Sequence, residues 1–220
     1  MKYVLTETTK EWFGVTLYQI KALRDIPEHG VDEGDLGGWI AGEANLDQDG
    51  EAWVYGNAQV YGNAQVSGDA LVYGNAQVYG DAWVSGNAQV SGNAWVYGDA
   101  RVYGNAQVYG NAQVSGDARV YGNAQVYGDA WVESRKHIFW ASSVGSEDGT
   151  LTAYTIKTGE IEVTRGCFRG TLDEFEAAVN LRHDGSRHAE EYLVLIQYIR
   201  LRFREVAVSI NEQEENEDEN

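Results

Sequence analysis

The sequence predicts a mainly β chain: a parallel β-helix of six-residue repeats, with a β cap before it and a small α+β domain after it. Three observations carry that prediction. From Gly50 to Glu133 the chain is fourteen consecutive six-residue units without insertion, with the consensus Gly-Asn/Asp-Ala-x-Val-Tyr/Ser. The residues before this run alternate as strands do, and those after it pass from strand-like runs to helical spacing. The 26 Gly in 220 residues are enough to give every unit its own turn.

The units justify the prediction slot by slot. GNAQVY (56–61), GDAWVS (80–85) and GDARVY (98–103) are typical. A period of six is no helix period, is too short for paired-helix repeats, and lacks the Gly-X-Y rule of collagen. It suits a coil with three short faces, one unit per face. Val is β-branched, favours a strand and recurs where the interior needs filling. Ala lies across the bend from a Val and is small enough to fit beside it. Gly-Asn and Gly-Asp are turn pairs that tolerate positive φ. The x and Tyr/Ser slots flank Val and therefore point outward. Stacked coils then place like residues about 4.8 Å apart.

The run Val-Tyr-Gly-Asn-Ala-Gln is similar to the hexapeptide repeat of left-handed β-helix proteins, in which an aliphatic residue opens the unit and a small one follows four later. The resemblance spans residues 50–133 and implies the left hand. GDLGGWI (34–40) and GEANL (42–46) look like a lead-in coil out of phase, and resemble hexapeptide-repeat proteins of bacteriophages and prophages. IFWASSVGS and GCFRGTLDEFE resemble the end domain of such phage proteins.

With eighteen residues per coil, every third unit shares a face. The first face carries Trp53, Leu71, Gln89, Gln107 and Gln125 in the x slot; the second carries Gln59, Gln77, Trp95, Gln113 and Trp131; the third carries Gln65, Trp83, Arg101 and Arg119. The corner of the third face stacks Asn63, Asp81, Asp99 and Asp117. Carboxylates in such a ladder repel. An offsetting Asp–Arg stack with Arg101 and Arg119 is the plain structural reading; a cation site or an acidic recognition strip are the alternatives. Trp53, Trp83, Trp95 and Trp131, with nine outward Tyr, make an aromatic-rich surface suited to cross-strand stacking or to a protein interface. The candidate binding surface is therefore Trp83, Trp95, Trp131, Asp81, Asp99, Asp117, Arg101 and Arg119.

The flanks supply the rest of the organisation. Residues 1–37 read as the N-terminal β cap, with YVLTET and VTLYQIKAL as strands joined through Lys10 to Gly14. Residues 38–133 are the β-helix. Residues 134–210 read as an α+β domain: HIFWASSV, TLTAYTIK and EIEVTRGCF form an antiparallel meander, and Thr171 caps a helix with Glu174 completing a capping box. A second helix is expected from Ser186 to Arg204, with Tyr192, Leu193, Ile196, Ile199 and Phe203 on its apolar face. NEQEENEDEN (211–220) reads as a disordered acidic tail.

Charge and missing residue types narrow the function. Acids outnumber bases 34 to 16, for a net charge of −18, the wrong sign for a protein that neutralises phosphate. The lone Cys167 excludes an intramolecular disulfide framework and reads as a core thiol. No apolar run is long enough to span a membrane and MKYVLTETTKEW has no apolar signal core, so a cytoplasmic location is expected. The repeat-class resemblance suggests a trimeric acyltransferase with a catalytic His. All four His (His29, His137, His183 and His188) lie outside residues 50–133, and general-base catalysis needs a placed base. No catalytic residue, metal site or cofactor is expected. The expected function is a non-catalytic protein-binding module, phage-encoded by resemblance. It would act on a host protein in host takeover or as an anti-defence inhibitor, in one version by an acidic, DNA-mimicking surface. A homo-oligomer, dimer or trimer, is compatible; direct nucleic-acid or membrane binding is not expected. A virion-assembly protein and a hexapeptide-type acyltransferase are the alternatives.

Overall fold

Each repeat unit contributes one two-residue strand, x-Val, from Trp53–Val54 to Trp131–Val132. The structure is a computed structural model that describes the backbone of residues 1–217 and the side chains of residues 1–206 apart from Glu205. The strands stack in parallel as three columns, with the x residues of each face in the register that an eighteen-residue coil requires: Leu71↔Gln89, Gln77↔Trp95 and Trp83↔Arg101 are examples. This is a parallel β-solenoid of about five turns. Every Val and Ala of the repeat is buried, so the interior is a continuous column of small and β-branched side chains. Backbone hydrogen bonds join successive coils. Trp83 N donates to Ala100 O (2.9 Å), Ser85 N to Val102 O (2.9 Å) and Asn93 N to Gly110 O (2.8 Å).

The corner glycines have two reasons to be glycine. Gly92 sits at φ +71°, and a Cβ there would lie 2.9 Å from both N and O of Gly110 in the next coil. The left-handed backbone region disfavours a side chain, and the stacking leaves no room for one.

Ahead of the coils, β1 (Tyr3–Trp12) and β2 (Val15–Ala22) form an antiparallel hairpin. Its turn residues Phe13 and Gly14 both have positive φ, as a two-residue hairpin needs. The first strand runs well past YVLTET. Next, β3 (Leu36–Ile40) pairs antiparallel with β2 and parallel with the second column through Trp39↔Gln59. Gly37 makes that fit possible, since a Cβ there would meet Ile20 Cγ1 at 2.6 Å and Trp53 Cζ2 at 2.8 Å. In consequence Trp53 is fully buried, edge-on to Tyr3 at 6.4 Å. It does not join the outward aromatic surface on which its slot places it. Lys2 is also buried, and its Nζ donates to the carbonyl oxygens of Ala52 (2.6 Å) and Asp49 (3.4 Å). Burial pulls its pKa down to about 8.

Beyond the coils, β4 (Ile138–Val144), β5 (Gly149–Thr155), β6 (Ile161–Arg165) and β7 (Phe168–Thr171) form an antiparallel sheet. The expected meander had three strands. The fourth arises because Gly166, at φ +57°, turns the chain inside VTRGCF. Cys167 lies in that turn and is exposed, which corrects the expected core thiol. Thr171 caps α1 (Leu172–His183): Thr171 Oγ1 accepts from Glu174 N (3.2 Å), and Thr171 N donates to Glu174 Oε2 (2.8 Å). Helix α2 (Arg187–Glu217) extends beyond Arg204. It runs into the 211–220 segment that the charge pattern reads as disordered, of which 218–220 lie outside the described residues. Tyr192, Ile196, Ile199 and Phe203 pack with Phe175 and Val179 of α1 over Leu151, Ala153 and Val163, a second core separate from the solenoid interior.

This sheet meets the last coil through side chains. Gln125 N donates to Thr152 Oγ1 (3.0 Å), Tyr127 N donates to Tyr154 OH (3.3 Å), and Thr164 Oγ1 donates to Gln125 O (3.2 Å). Thr155 Oγ1 donates to Trp131 O. These hydroxyls occupy backbone groups of Gln125, Tyr127 and Trp131 that a further coil would have taken, so that part of the open strand edge is satisfied.

Candidate functional site

The eight residues of the expected binding surface fall on two faces. The third face and its corner hold six of them: Trp83, Arg101, Arg119, Asp81, Asp99 and Asp117. Trp95 and Trp131 lie on the second face, on either side of Gln113. Trp95 is exposed, edge-on to Tyr79 at 6.5 Å. Trp131 is half-buried, with Lys157 Nζ 5.8 Å from its ring centre.

On the third face the aromatic and the cations are coupled. Trp83 is 40% exposed, and its indole N–H donates to Ser67 Oγ (3.3 Å). The Arg101 guanidinium stands 5.9 Å from the Trp83 ring centre, a cation–π contact. Arg119 stacks on Arg101 in register. The expected Asp–Arg stack does not form: among the described residues neither Arg101 nor Arg119 pairs with Asp81, Asp99 or Asp117. The x slot and the corner project from different points of the unit, with Ala turned inward between them. The corner column is instead held at its ends. Asn63 Nδ2 donates to Asp81 Oδ1 (2.9 Å), and Arg135 Nε meets Asp117 Oδ2 at 3.4 Å with both side chains more than half exposed.

The corner before the second face is a contrast. Asn57, Asn75, Asn93, Asn111 and Asp129 form a chain of bonds, each Nδ2 donating to the next Oδ1 at 3.2, 3.1, 3.1 and 3.0 Å. Above the second face Tyr61, Tyr79 and Tyr97 stack face to face at 5.1 and 5.0 Å.

Sequence reasoning missed Arg135, Trp140 and Arg202. They gather where the third face meets the second core, and with Arg119, Tyr121 and Ile138 they line a cavity of about 260 Å³. Arg135 and Arg202 are 67 residues apart, and no local pattern announces that they meet. Among the described residues no three of His, Cys, Asp and Glu could together hold a metal ion. His137 is the histidine next to the last coil. Its Nδ1 accepts from Glu133 N (3.3 Å), and burial lowers its pKa. No helix among the described residues is long and apolar enough to cross a membrane.

No curated protein matches the chain. The family model YdcK Beta solenoid repeat matches residues 58–74, 64–80, 76–92, 88–104, 94–110, 106–122 and 112–128. Those overlapping matches follow the columns described above, and over residues 58–128 the chain is similar to that repeat; it is a β-solenoid repeat protein.

Proposed function

We propose that the chain is a non-catalytic protein-binding module that uses the third face of its solenoid. One observation carries the reading. Trp83, Arg101 and Arg119 stand beside the Asp81–Asp99–Asp117 column, and the cations and the carboxylates leave each other unpaired. A rigid surface with an exposed aromatic and unspent charges of both signs is suited to a protein of complementary charge pattern, at small ordering cost. The mixed signs work against the DNA-mimic version, which asks for uninterrupted negative potential. In this reading the coil is left-handed, as the hexapeptide resemblance implies, and β1 to β3 serve as its N-terminal cap. A phage-encoded protein acting in the host cytoplasm on a host protein rests on resemblance and on the net charge of −18.

The test is capture of partners from nuclease-treated bacterial lysate by the tagged full chain, read by mass spectrometry. A stoichiometric protein partner is expected. It should be lost in a Trp83→Ser/Asp99→Asn double variant and kept in a Trp95→Gln/Trp131→Gln variant. Loss only in the second variant would move the site to the second face, and a partner indifferent to both would sink the assignment. A specific feature favours one other reading. Exposed Trp95 beside the stacked Tyr column could pack copies together in an assembly, and light scattering would then find an oligomer that Trp95→Gln dissolves.

A further inference from the structure

The cavity between the third face and the second core collects three guanidiniums in a chain that is otherwise strongly acidic. Arg202 is fixed there by donating to the carbonyl oxygens of Arg135 (2.6 Å) and Ile138 (3.2 Å). Those partners are dipoles and leave its charge uncancelled. Among the described residues the carboxylate contact of Arg135 is the long, exposed one with Asp117, a weak kind of pair. Arg119 has no carboxylate partner among the described residues, and it lies in register on Arg101, an arrangement that costs stability because like charges sit side by side. Gln fills seven of the fourteen x slots and would avoid that cost. The remaining wall is apolar and aromatic: Ile138 is buried, and Trp140 stands edge-on to Tyr121 at 4.3 Å.

We infer that this cavity is an anion site for a phosphate monoester. Three guanidiniums less the one carboxylate of Asp117 leave a charge of about +2, which matches a phosphate monoester at neutral pH better than a single carboxylate. Guanidinium forks bind such oxygens bidentately. The Trp140, Tyr121 and Ile138 wall suits the ester's organic group, and the volume admits a small one. The inference does not rest on the protein-binding reading: the cavity lies at the Arg119 end of the face, away from Trp83, and although Arg119 borders both, anion binding there needs no protein partner.

The test is calorimetric titration of the full chain at low salt with phenyl phosphate, inorganic phosphate and benzoate. Saturable one-to-one binding of phenyl phosphate is expected, weaker for inorganic phosphate and weakest for benzoate. Arg119→Gln should weaken phenyl phosphate about tenfold or more, as loss of one charge-assisted contact implies. Its melting temperature should hold or rise, since Gln is the commonest x residue and the change removes the like-charge neighbour of Arg101. Arg24→Gln, at the other end of the solenoid where Arg24 meets Glu51, removes one positive charge far from the cavity and should leave affinity nearly unchanged. Should Arg119→Gln fail to fold, Arg135→Gln takes its place. Absence of saturable binding, equal affinity in the cavity variant and the wild type, or benzoate binding as tightly as phenyl phosphate would each overturn the inference.

Discussion

Two corner columns of one solenoid have the same glycine before them and the same buried alanine after them, yet they behave differently. Asn57–Asn75–Asn93–Asn111–Asp129 is bonded from end to end. Asn63–Asp81–Asp99–Asp117 is bonded once and then stops. The reason is elementary: an amide both donates and accepts, while a carboxylate only accepts. An Asp therefore suits the last place in such a ladder, where Asp129 accepts from Asn111 and owes nothing onward. Three in a row leave Asp81, Asp99 and Asp117 with no donor to pass along the column. The fold itself is served by asparagine at this corner, so the acidic column is what the proposed binding reading has to account for.

The largest expected effect tests whether the two corners are alike in backbone. Gly92→Ala and Gly98→Ala precede Asn93 and Asp99. Both glycines have positive φ, and a Cβ would come within 2.9 and 3.1 Å of the backbone nitrogen of the next coil's glycine. Each variant should lose about 2–4 kcal/mol in urea denaturation. A large gap between them would mean that the columns differ in more than their side chains. The next effect is smaller and has opposite signs in the two columns. Asn93→Asp removes a donor from the bonded ladder and should cost about 1 kcal/mol, while Asp99→Asn lets residue 99 donate to Asp117 and should gain about as much. If Asp99→Asn destabilises the chain, the acidic column is structural and the comparison fails.

How much of this was legible in advance follows from how local each cause is. The three faces, their register and the buried Val and Ala follow from a strict six-residue period, because every coil repeats the same short-range chemistry. The α1 cap was equally readable, since Thr171 and Glu174 are three residues apart. Trp53 was misread because its slot points outward, and only the distant Gly37 and Tyr3 reveal what covers it. The Asp–Arg stack was misread for a related reason: being neighbours in sequence does not aim two side chains at each other when an inward Ala stands between them. Arg202 was beyond reach altogether. It sits among the apolar positions of α2 and gains its meaning from two carbonyls more than sixty residues earlier.

The smallest effect is also the most selective. Exposed carboxylates on successive coils repel through solvent, and salt screens that repulsion within a Debye length of about 10 Å at 0.1 M. Added sodium chloride should therefore stabilise the wild type. The net charge of −18 gives every variant some of the same response, so the difference between variants is the readout. Asp81→Asn/Asp99→Asn keeps the Asp117–Arg135 contact and removes the stacked charges. Its stability should rise less with salt than the wild type's, by a few tenths of a kcal/mol, the scale of exposed charge pairs. Removing Glu7 and Asp25, two acids outside this column, by Glu7→Gln/Asp25→Asn makes the same change in net charge. Should that control flatten the salt response as much as the column variant does, the repulsion belongs to the whole molecule and not to the ladder. If only the column variant flattens it, the three carboxylates are held together at a cost that the coil itself does not require.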